Sequence, residues 1–412
     1  MRRWGAISGA LGQRNFSLYL WWGWISLIGF WAQRVAVGWL TWEMTHSGTW
    51  LGLIAFADLA PCVVITPIAG GLADRLDRKR MVIWTQSLAM LQAVALAALT
   101  LSGLIEIWSL FLLTLFLGMV MAVNTAARLT LVPNLLEREH IPSALALDSG
   151  LFNVARFIGP AIAGALIVQW GVGAAFVFNA VTFLAFLAAL WRMRLVRDEG
   201  KGRVVGNLFA EVGEGLRYAF RHPGIGPVLM VIAAAALGAK PYIDLLPGFA
   251  DEVYHRGAEG LAQFTAVSGI GAFVAAAYLA QRGTTAGLTR LLLWALAAAA
   301  FGLFLFCSTD NYWVGLAAIA VIGASVVICG TGTQTLMQGA VDGAMRGRVM
   351  SLYGVIFRGG PALGALVMGI ASDFVGLQAA LAGGGLICIA AVLWLRSRYR
   401  AVSAVLEAEA KD

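Results

Sequence analysis

The stretch GGLADRLDRKR at residues 70–80 ends one long apolar run and directly precedes another. Its last seven residues hold two acids and four bases, between a run that begins near Gly48 and one that begins at Met81. Small residues such as Gly70 and Gly71 let helices approach closely in lipid, where there is no hydrophobic drive for packing. A charged reversal this short joins antiparallel neighbours, so the stretch predicts two membrane helices connected at a polar surface.

The composition excludes a soluble globular protein. The 412 residues are 60% hydrophobic and 12% charged, with a mean hydropathy of +0.81, whereas soluble domains are about 25% charged. A membrane helix needs roughly 20 apolar residues. The predicted spans are residues 17–43, 48–73, 81–103, 107–129, 143–169, 172–193, 226–247, 260–281, 287–307, 312–335, 350–371 and 376–395. The predicted fold class is therefore an all-α membrane protein with twelve transmembrane helices.

The basic residues indicate how these spans are oriented. All but five of the 29 Lys and Arg fall on one side of the predicted membrane, and only Arg256 lies in a loop on the other side. The four exceptions within spans are Arg34, Arg156, Lys240 and Arg358. Bases concentrate on the cytoplasmic side of membrane proteins, so both termini and the central loop are predicted to be cytoplasmic in a bacterial inner membrane. This placement explains the net charge of +7 without a nucleic-acid partner.

The sequence indicates no enzyme, cofactor or metal site. Cys62, Cys307, Cys329 and Cys388 stand singly within apolar spans and are predicted to be free core residues. No phosphate-binding G-x-x-x-x-G-K-[ST] loop occurs, which argues against ATP hydrolysis, and no nucleophile–base pair is apparent. The N-terminal segment leads into a span too long for a cleaved signal peptide, so the first helix is expected to be retained.

The two halves of the chain share a motif. Gly159-Pro160 in predicted span 5 recurs as Gly360-Pro361 in span 11, 201 residues later. Parallel repeats of six spans are a known membrane architecture, so we expect an N-terminal six-helix half at residues 1–194, a cytoplasmic linker at 195–225 and a C-terminal six-helix half at 226–412. Apolar residues every four positions predict an interfacial amphipathic helix within the linker, and they are Leu208, Val212, Leu216 and Phe220.

Residues 70–80 resemble the loop between the second and third helices of the major facilitator superfamily, whose pattern is G-x-x-x-D-x-x-G-R-[KR]-x. The positions of this motif are Gly70, Asp74, Arg75, Arg78 and Lys79, and Asp77 stands where the pattern has its second glycine. A solvated basic loop is the alternative, and it accounts for the bases but for neither Gly70 nor Asp74. The resemblance implies that these residues form a conformational switch.

The whole chain resembles the branch of this superfamily that includes enterobactin exporters and macrolide efflux proteins, through residues 70–80, 131–164 and 346–355. Gly159, Pro160 and Gly164 resemble the helix-five antiporter motif G-P-x-x-G-G of exporters, with Ala163 in place of the first paired glycine. The resemblance implies that spans 1, 4, 7 and 10 line a central cavity and that spans 2, 5, 8 and 11 flank it.

Charged side chains within spans cost at least ~2.5–3.5 kcal/mol, so each requires a partner or a wet cavity. Arg34 and Asp58 lie equally far from the turn between spans 1 and 2, so we expect them at the same depth and able to pair. Lys240 and Asp244 stand one turn apart in span 7. The coupling and cavity candidates are Arg34, Asp58, Asn124, Arg156, Lys240, Asp244, Gln334 and Arg358. Bases outnumber acids among them, which favours an anionic or mixed-charge organic substrate.

Several residues leave two interpretations open. Asn124 and Gln334 could hydrogen-bond a substrate or satisfy helix–helix contacts. Trp31 lies deep enough to stack with a ligand, although lipid-facing packing is the simpler interpretation. Asp148 and Asp373 lie near the ends of predicted spans, where a carboxylate needs no special partner.

Together these features predict a proton-coupled exporter of a small, siderophore- or drug-like organic compound, working by alternating access as a monomer. Its expected partners are the substrate, protons and the bilayer, with no cofactor. Because no histidine lies inside a span, a carboxylate whose pKa is shifted by burial is the expected proton carrier, namely Asp58 or Asp244. The alternatives are a facilitator or importer of a small polar metabolite and a non-transporting membrane sensor or scaffold.

Overall fold

The computed structural model describes residue 9 and residues 11–73, 77–193, 208–341 and 345–407, which are almost entirely helical. In chain order the helices are α1 (Arg14–Thr45), α2 (Gly48–Ala73), α3 (Arg78–Leu101), α4 (Ile107–Leu131), α5 (Ile141–Trp170), α6 (Val172–Arg192), α7 (Leu208–Arg221), α8 (Ile225–Ala234), α9 (Tyr242–Gly248), α10 (Gly257–Arg282), α11 (Leu288–Ser308), α12 (Tyr312–Ala340), α13 (Arg346–Val375) and α14 (Leu377–Leu406). Two π-helical segments, Ala235–Ala239 and Phe249–Val253, flank α9.

The protein is a multi-pass membrane protein. Its described residues contain eleven helical stretches that are long and apolar enough to cross a membrane, and these correspond to predicted spans 2–12. The 32-residue α1 is not among them, because its tryptophans, Gln33 and Arg34 lower its hydropathy. A twelfth span therefore stays a prediction. Two boundaries were wrong: span 7 runs to Val253 as one interrupted stretch, and α14 continues to Leu406.

Single glycines make two of the tightest reversals. Gly171 separates α5 from α6 with φ of 80°, and Gly376 separates α13 from α14 with φ of 85°. A side chain is rarely compatible with this backbone conformation, which glycine adopts freely. Both turns follow the helix that carries the Gly-Pro motif in each predicted half. The turns therefore repeat between the halves, as the motif does.

The chain folds into two compact units. The first comprises Met1–Met44 and Pro61–Val205, and the second comprises Thr45–Ala60 and Gly206–Asp412. Helix α2 thus contributes its beginning to the second unit and its remainder to the first.

The first unit contains a buried ladder of side-chain amides. Asn179 of α6 donates from Nδ2 to Gln33 Oε1 on α1 at 2.8 Å, and Gln33 Nε2 donates to Gln92 Oε1 on α3 at 2.9 Å. Gln92 Nε2 in turn donates to the carbonyl of Leu113 on α4 at 3.2 Å. The three amides are at most 2% exposed. Because lipid provides no hydrogen-bonding partner, this ladder fixes four helices to one another.

Gln33→Leu is expected to destabilise the protein by about 1–3 kcal/mol, because it removes the hydrogen bonds that Gln33 makes to Asn179 Nδ2 and to Gln92 Oε1. Thermal unfolding in detergent, followed by thiol labelling of the buried Cys329 and Cys388, measures the change. Gln169→Leu is the matched control, since Gln169 is exposed on α5. Identical melting of the two variants would show that the ladder contributes nothing.

The second unit is held by close backbone packing and by aromatic rings. Gly238 and Gly384 bring the first π-helical segment directly against α14. The Tyr254 hydroxyl donates to the carbonyl of Phe306 at 2.9 Å, and the Tyr254 ring lies 5.2 Å from the Phe306 ring and 5.0 Å from that of Phe264. These contacts join the end of the interrupted seventh span to α10 and α11.

Candidate substrate site

The charged reversal lies between α2 and α3. Gly70 belongs to the last turns of α2, whereas Asp74 and Arg75 lie outside the described residues. Arg78 and Lys79 open α3, and Lys79 Nζ donates to the carbonyl of Met193 at the end of α6 at 2.5 Å. Lys79 therefore also anchors α3 within the first unit.

Asp77 has a clear local role where the motif pattern has a glycine. Its carboxylate accepts a hydrogen bond from the backbone N–H of Arg80 at 3.0 Å, and it is the N-cap of α3. Aspartate is among the preferred N-cap residues, because its side chain satisfies an N–H group that the helix leaves unpaired. The departure from the pattern thus stabilises the helix start.

In the first unit, Trp31 lies between two bases. Its ring centroid is 5.5 Å from Arg34 Cζ on the same helix and 5.7 Å from Arg156 Cζ on α5. Phe152 meets the indole edge-on at 6.0 Å. The indole Nε1 of Trp31 is buried and has no hydrogen-bond partner among the described residues. The lipid-facing interpretation of Trp31 did not include its contacts with Arg34 and Arg156. We call Trp31, Arg34 and Arg156 the first cation–aromatic cluster.

In the second unit, Lys240 lies against Phe357 of α13. The ammonium nitrogen is 4.1 Å from the ring centroid and donates to the carbonyl of Phe357 at 3.2 Å. Tyr353 stacks on Phe357 at 5.5 Å with an interplanar angle of 12°, and its hydroxyl donates to the carbonyl of Gly330 on α12 at 3.0 Å. We call Lys240, Phe357 and Tyr353 the second cation–aromatic cluster.

The repeated Gly-Pro motifs position both clusters. A Cβ atom at Gly159 would lie 2.5 Å from Trp31 Cβ on α1, and one at Gly360 would lie 2.7 Å from Ala236 Cβ in the interrupted seventh span. Four residues on, a Cβ at Gly364 would lie 2.6 Å from Pro241 Cγ. Each glycine therefore lets the fifth helix of its predicted half pack against the first helix of that half.

The backbone of the seventh span is irregular around Lys240 and Asp244. The π-helical segment Ala235–Ala239 ends beside Lys240, and Pro241 precedes α9, whose first turn holds the half-buried Asp244. Such π-helical interruptions occur frequently at functional sites. The sequence predicted that Lys240 and Asp244 share one face of a regular helix. In the structure, the helix is interrupted between them.

The remaining predicted residues are dispersed. Asn124 is buried and donates from Nδ2 to Thr85 Oγ1 on α3 at 2.7 Å, which is the helix–helix alternative. Gln334 is half-buried on α12, and Arg358 is exposed on α13. Pro160 and Gly164 are buried within α5. Arg34 and Asp58 belong to different compact units, and their pairing stays a prediction.

Sequence reasoning missed the partner of Asp373. Within the second unit, its carboxylate accepts hydrogen bonds from Ser47 Oγ at 2.8 Å and from the backbone N–H groups of Gly48 at 2.8 Å and Thr49 at 3.3 Å. These groups form the start of α2, where the helix dipole favours an anion. We call this the Asp373 contact, and it joins the end of α2 opposite the charged reversal to the end of α13.

The backbones at the Asp373 contact are nearly touching. Gly48 packs directly against Ser372 and Gly369, and a Cβ atom at Gly52 would lie 2.5 Å from the carbonyl oxygen of Ala365. The absence of a side chain at Gly48 and Gly52 is what lets α2 and α13 approach this closely. A glycine spacing of four residues at the start of span 2 was the signal that could have indicated the contact.

A second acid near a helix end also has a specific neighbour. Arg128 Nε donates to the Tyr19 hydroxyl at 2.7 Å, and Arg128 Nη2 lies 3.8 Å from Asp148 Oδ1. The position of Asp148 near a span end was predicted, but its ion pair was not.

Three residues between α4 and α5 could hold a metal ion. The ligand atoms of Glu137, Glu139 and His140 lie within 4.8 Å of one another, and two of the three residues are exposed.

Comparisons with known proteins match nearly the whole chain. The family model described as transmembrane secretion effector matches residues 9–411. The staphyloferrin A transporter of Staphylococcus aureus is 24% identical over 90% of this chain and 93% of its own length. Macrolide efflux protein A of Streptococcus pyogenes is 24% identical over 89% and 92%, and the enterobactin exporter EntS of Shigella boydii is 25% identical over 90% and 89%.

Solved structures share the fold at low identity. The nucleoside transporter NupG superposes with a TM-score of 0.71 at 12% identity, covering 94% of this chain and 99% of NupG. A bacterial homologue of the lysosomal transporter Spinster gives a TM-score of 0.68 at 15% identity, covering 97% and 99%. At these identities the likeness concerns the fold alone.

Proposed function

The chain belongs to the transmembrane secretion effector family of the major facilitator superfamily, and on that premise we propose that it exports a small organic compound by alternating access. The curated relatives named above are a staphyloferrin A transporter, a macrolide efflux protein and an enterobactin exporter. From them we carry over only the substrate class, a siderophore- or drug-like compound.

The observation that carries the proposal is the pair of cation–aromatic clusters. Each places a base of a membrane-crossing segment, Arg156 or Lys240, against an aromatic ring. A guanidinium can stack on a ring while its N–H groups bind a carboxylate, and an ammonium offers hydrogen bonds to an anion. We therefore propose that the substrate combines planar rings with at least one anionic group.

The proposed architecture has twelve spans in two halves of six, residues 1–194 and 226–412, with α1 as the remaining span. The matched packing of Gly159 and Gly360 and the matched turns at Gly171 and Gly376 support it. The distribution of bases supports a cytoplasmic position for both termini and for the linker at 195–225. The two halves would rock about a central site and expose it to one side at a time, in an inner membrane and as a monomer.

Proton coupling is assigned in this proposal to Asp58 or Asp244, each half-buried on a membrane-crossing helix. Arg34 is the base predicted to pair with Asp58, and Lys240 is the base predicted to pair with Asp244. Exchange requires the substrate to displace the proton, so a neutral or cationic group of the substrate would touch the acid. Exchanging Arg34 and Asp58 for one another would then restore part of the function that either single replacement removes.

Asp74→Asn is expected to reduce transport several-fold without reducing expression. We propose that Asp74 stabilises one conformation by approaching the start of α13, where a helix N-terminus attracts an anion with about 0.3–2 kcal/mol. Transport assays on cells with matched protein levels measure the effect, with Asp77→Asn as the control because Asp77 caps α3 locally. Full activity of Asp74→Asn would remove it from the switch.

Accumulation assays test the proposed function directly. A strain that lacks its own exporters would express the protein and be loaded with enterobactin, staphyloferrin A or a macrolide, with and without a protonophore. The proposal predicts lower retention of at least one compound, reversed by the protonophore. Unchanged retention of all three compounds would contradict it.

A further inference from the structure

The linker helix α7 is packed against the inner ends of two membrane-crossing segments. A Cβ atom at Gly215 would lie 2.9 Å from the carbonyl oxygen of Arg348, in the first turn of α13. Ala219, one turn later, is 2% exposed. Glu214 Oε2 lies 2.6 Å from Arg348 Nη1. Gly215 and Ala219 define the packed side of α7, and the ion pair of Glu214, which lies near Arg221 around the helix, also joins α7 to the start of α13.

The end of α7 leads directly into the seventh span. His222 Nδ1 accepts hydrogen bonds from the backbone N–H groups of Gly224 and Ile225, both at 3.2 Å, and Ile225 is the first residue of α8. The side chain of Leu406, at the end of α14, packs against Gly224. Helix α7 is therefore held beside the starts of two membrane-crossing segments, those of α8 and α13.

Next to this packed side, α7 carries an apolar strip bordered by bases. Leu216 is 42% exposed and Phe220 is 75% exposed, and Arg217 and Arg221 are exposed as well. At about 100° per residue, Phe220 lies roughly 40° from Leu216, and the two arginines follow at roughly 100° and 140°. The packed side lies at roughly 260–300°. The helix therefore presents one continuous surface whose apolar part lies between the protein and the bases.

We propose that this surface of α7 binds anionic phospholipids in the membrane surface. Leu216 and Phe220 enter the boundary between headgroups and acyl chains, and Arg217 and Arg221 contact lipid phosphates. Helices with an apolar strip beside Arg or Lys lie in membrane interfaces in this way. The position of α7 next to the starts of α8 and α13 makes the bilayer the surface that it meets first.

The lipid contact also bears on transport, because α7 is joined to α13 through Glu214 and Arg348. A helix anchored in the headgroup layer restrains the start of α13, which carries Tyr353 and Phe357 two and three turns further along. Anionic lipid is therefore expected to change the transport rate through the packed side of α7. This consequence is independent of which compound is transported.

A fluorescence experiment on the full chain tests the proposal. Phe220→Cys is labelled with an environment-sensitive dye and placed in nanodiscs of phosphatidylcholine, with or without phosphatidylglycerol. We expect blue-shifted emission with phosphatidylglycerol and quenching by lipids that carry a spin label on the acyl chain. Wild type treated with the same dye corrects for the native cysteines, of which three are buried and Cys62 is half-buried.

Replacing the bases separates electrostatic binding from simple proximity. Each base near an anionic surface contributes about fivefold to binding, so Arg217→Gln with Arg221→Gln in the labelled protein is expected to weaken the phosphatidylglycerol effect about 25-fold. Arg290→Gln is the control, because Arg290 is an exposed base near the start of α11. Hydrogen exchange of α7 in the unmodified protein provides a second measurement, with protection expected only in phosphatidylglycerol discs.

Two results would overturn the proposal. Emission and hydrogen exchange that are the same in both lipids, without quenching from the acyl chains, would show that α7 stays in water. A blue shift that depends on protein concentration instead of lipid composition would assign the surface to a second copy of the chain.

Discussion

Lys240→Met is expected to lower transport of the exported compound about 10- to 150-fold. The lysine is half-buried, and its ammonium is held against Phe357 by a contact to the ring and a hydrogen bond to the carbonyl. An anionic substrate group bound to it would gain roughly 1.5–3 kcal/mol, and each 1.4 kcal/mol corresponds to about tenfold. Methionine fills a similar volume without the charge, so the substrate loses this interaction.

The measurement is the concentration dependence of transport by purified, reconstituted protein. A binding role predicts a higher KM with an unchanged melting temperature, whereas a purely structural role predicts a lower melting temperature. Lys240→Arg keeps the charge and is expected to retain transport, and Arg290→Gln controls for the loss of an exposed base. Wild-type KM for Lys240→Met would place the substrate elsewhere.

Oxidation of the double variant Gly48→Cys/Ser372→Cys is expected to stop transport almost completely, and a reductant to restore it. A Cβ atom at Gly48 would lie 3.1 Å from Ser372 Cβ, and disulfides need a Cβ separation of about 3.5–4.5 Å, so a small shift allows the bond. The bond would lock α2 to α13 beside the Asp373 contact. In an alternating-access cycle these helix ends must separate when the site opens on that side.

The same protein is its own control, because reduced and oxidised samples differ only in the cross-link. Gly48→Cys alone shows the cost of the added side chain, and wild type shows whether the oxidant acts on the native cysteines. Asp373→Asn weakens the contact without a cross-link and is expected to favour the separated state about fivefold, since a helix cap contributes about 1 kcal/mol. Full transport by the cross-linked protein would mean that this contact stays closed throughout the cycle.

Sequence patterns predicted the parts of the structure that depend on local chemistry. Hydrophobic runs located the membrane-crossing helices, because each run must satisfy its own backbone inside lipid. The linker segment has the helix Leu208–Arg221 where apolar residues recur every four positions. Asp77 shows what the motif comparison overlooked: an acid directly before a helix is an N-cap signal in its own right.

Features that depend on three-dimensional neighbours were beyond the sequence. Gln33, Gln92 and Asn179 are far apart in the chain and become a ladder only when their helices pack. Asp373 meets the start of α2 more than 300 residues away. Two π-helical segments interrupt the seventh span. Helix α14 continues past Arg396 and Arg400, and its last turns bury Val402 and Leu406.

Proton-coupled export is the central claim, and inside-out membrane vesicles test it most directly. With an acidic interior generated by respiration, the vesicles are predicted to accumulate the compound found in the whole-cell assays. A protonophore is predicted to abolish the accumulation, as is the combined Asp58→Asn/Asp244→Asn replacement. Equilibration that ignores the gradient would indicate a facilitator, and uptake only by right-side-out vesicles would indicate an importer. Absence of any transport in either orientation would contradict the account altogether.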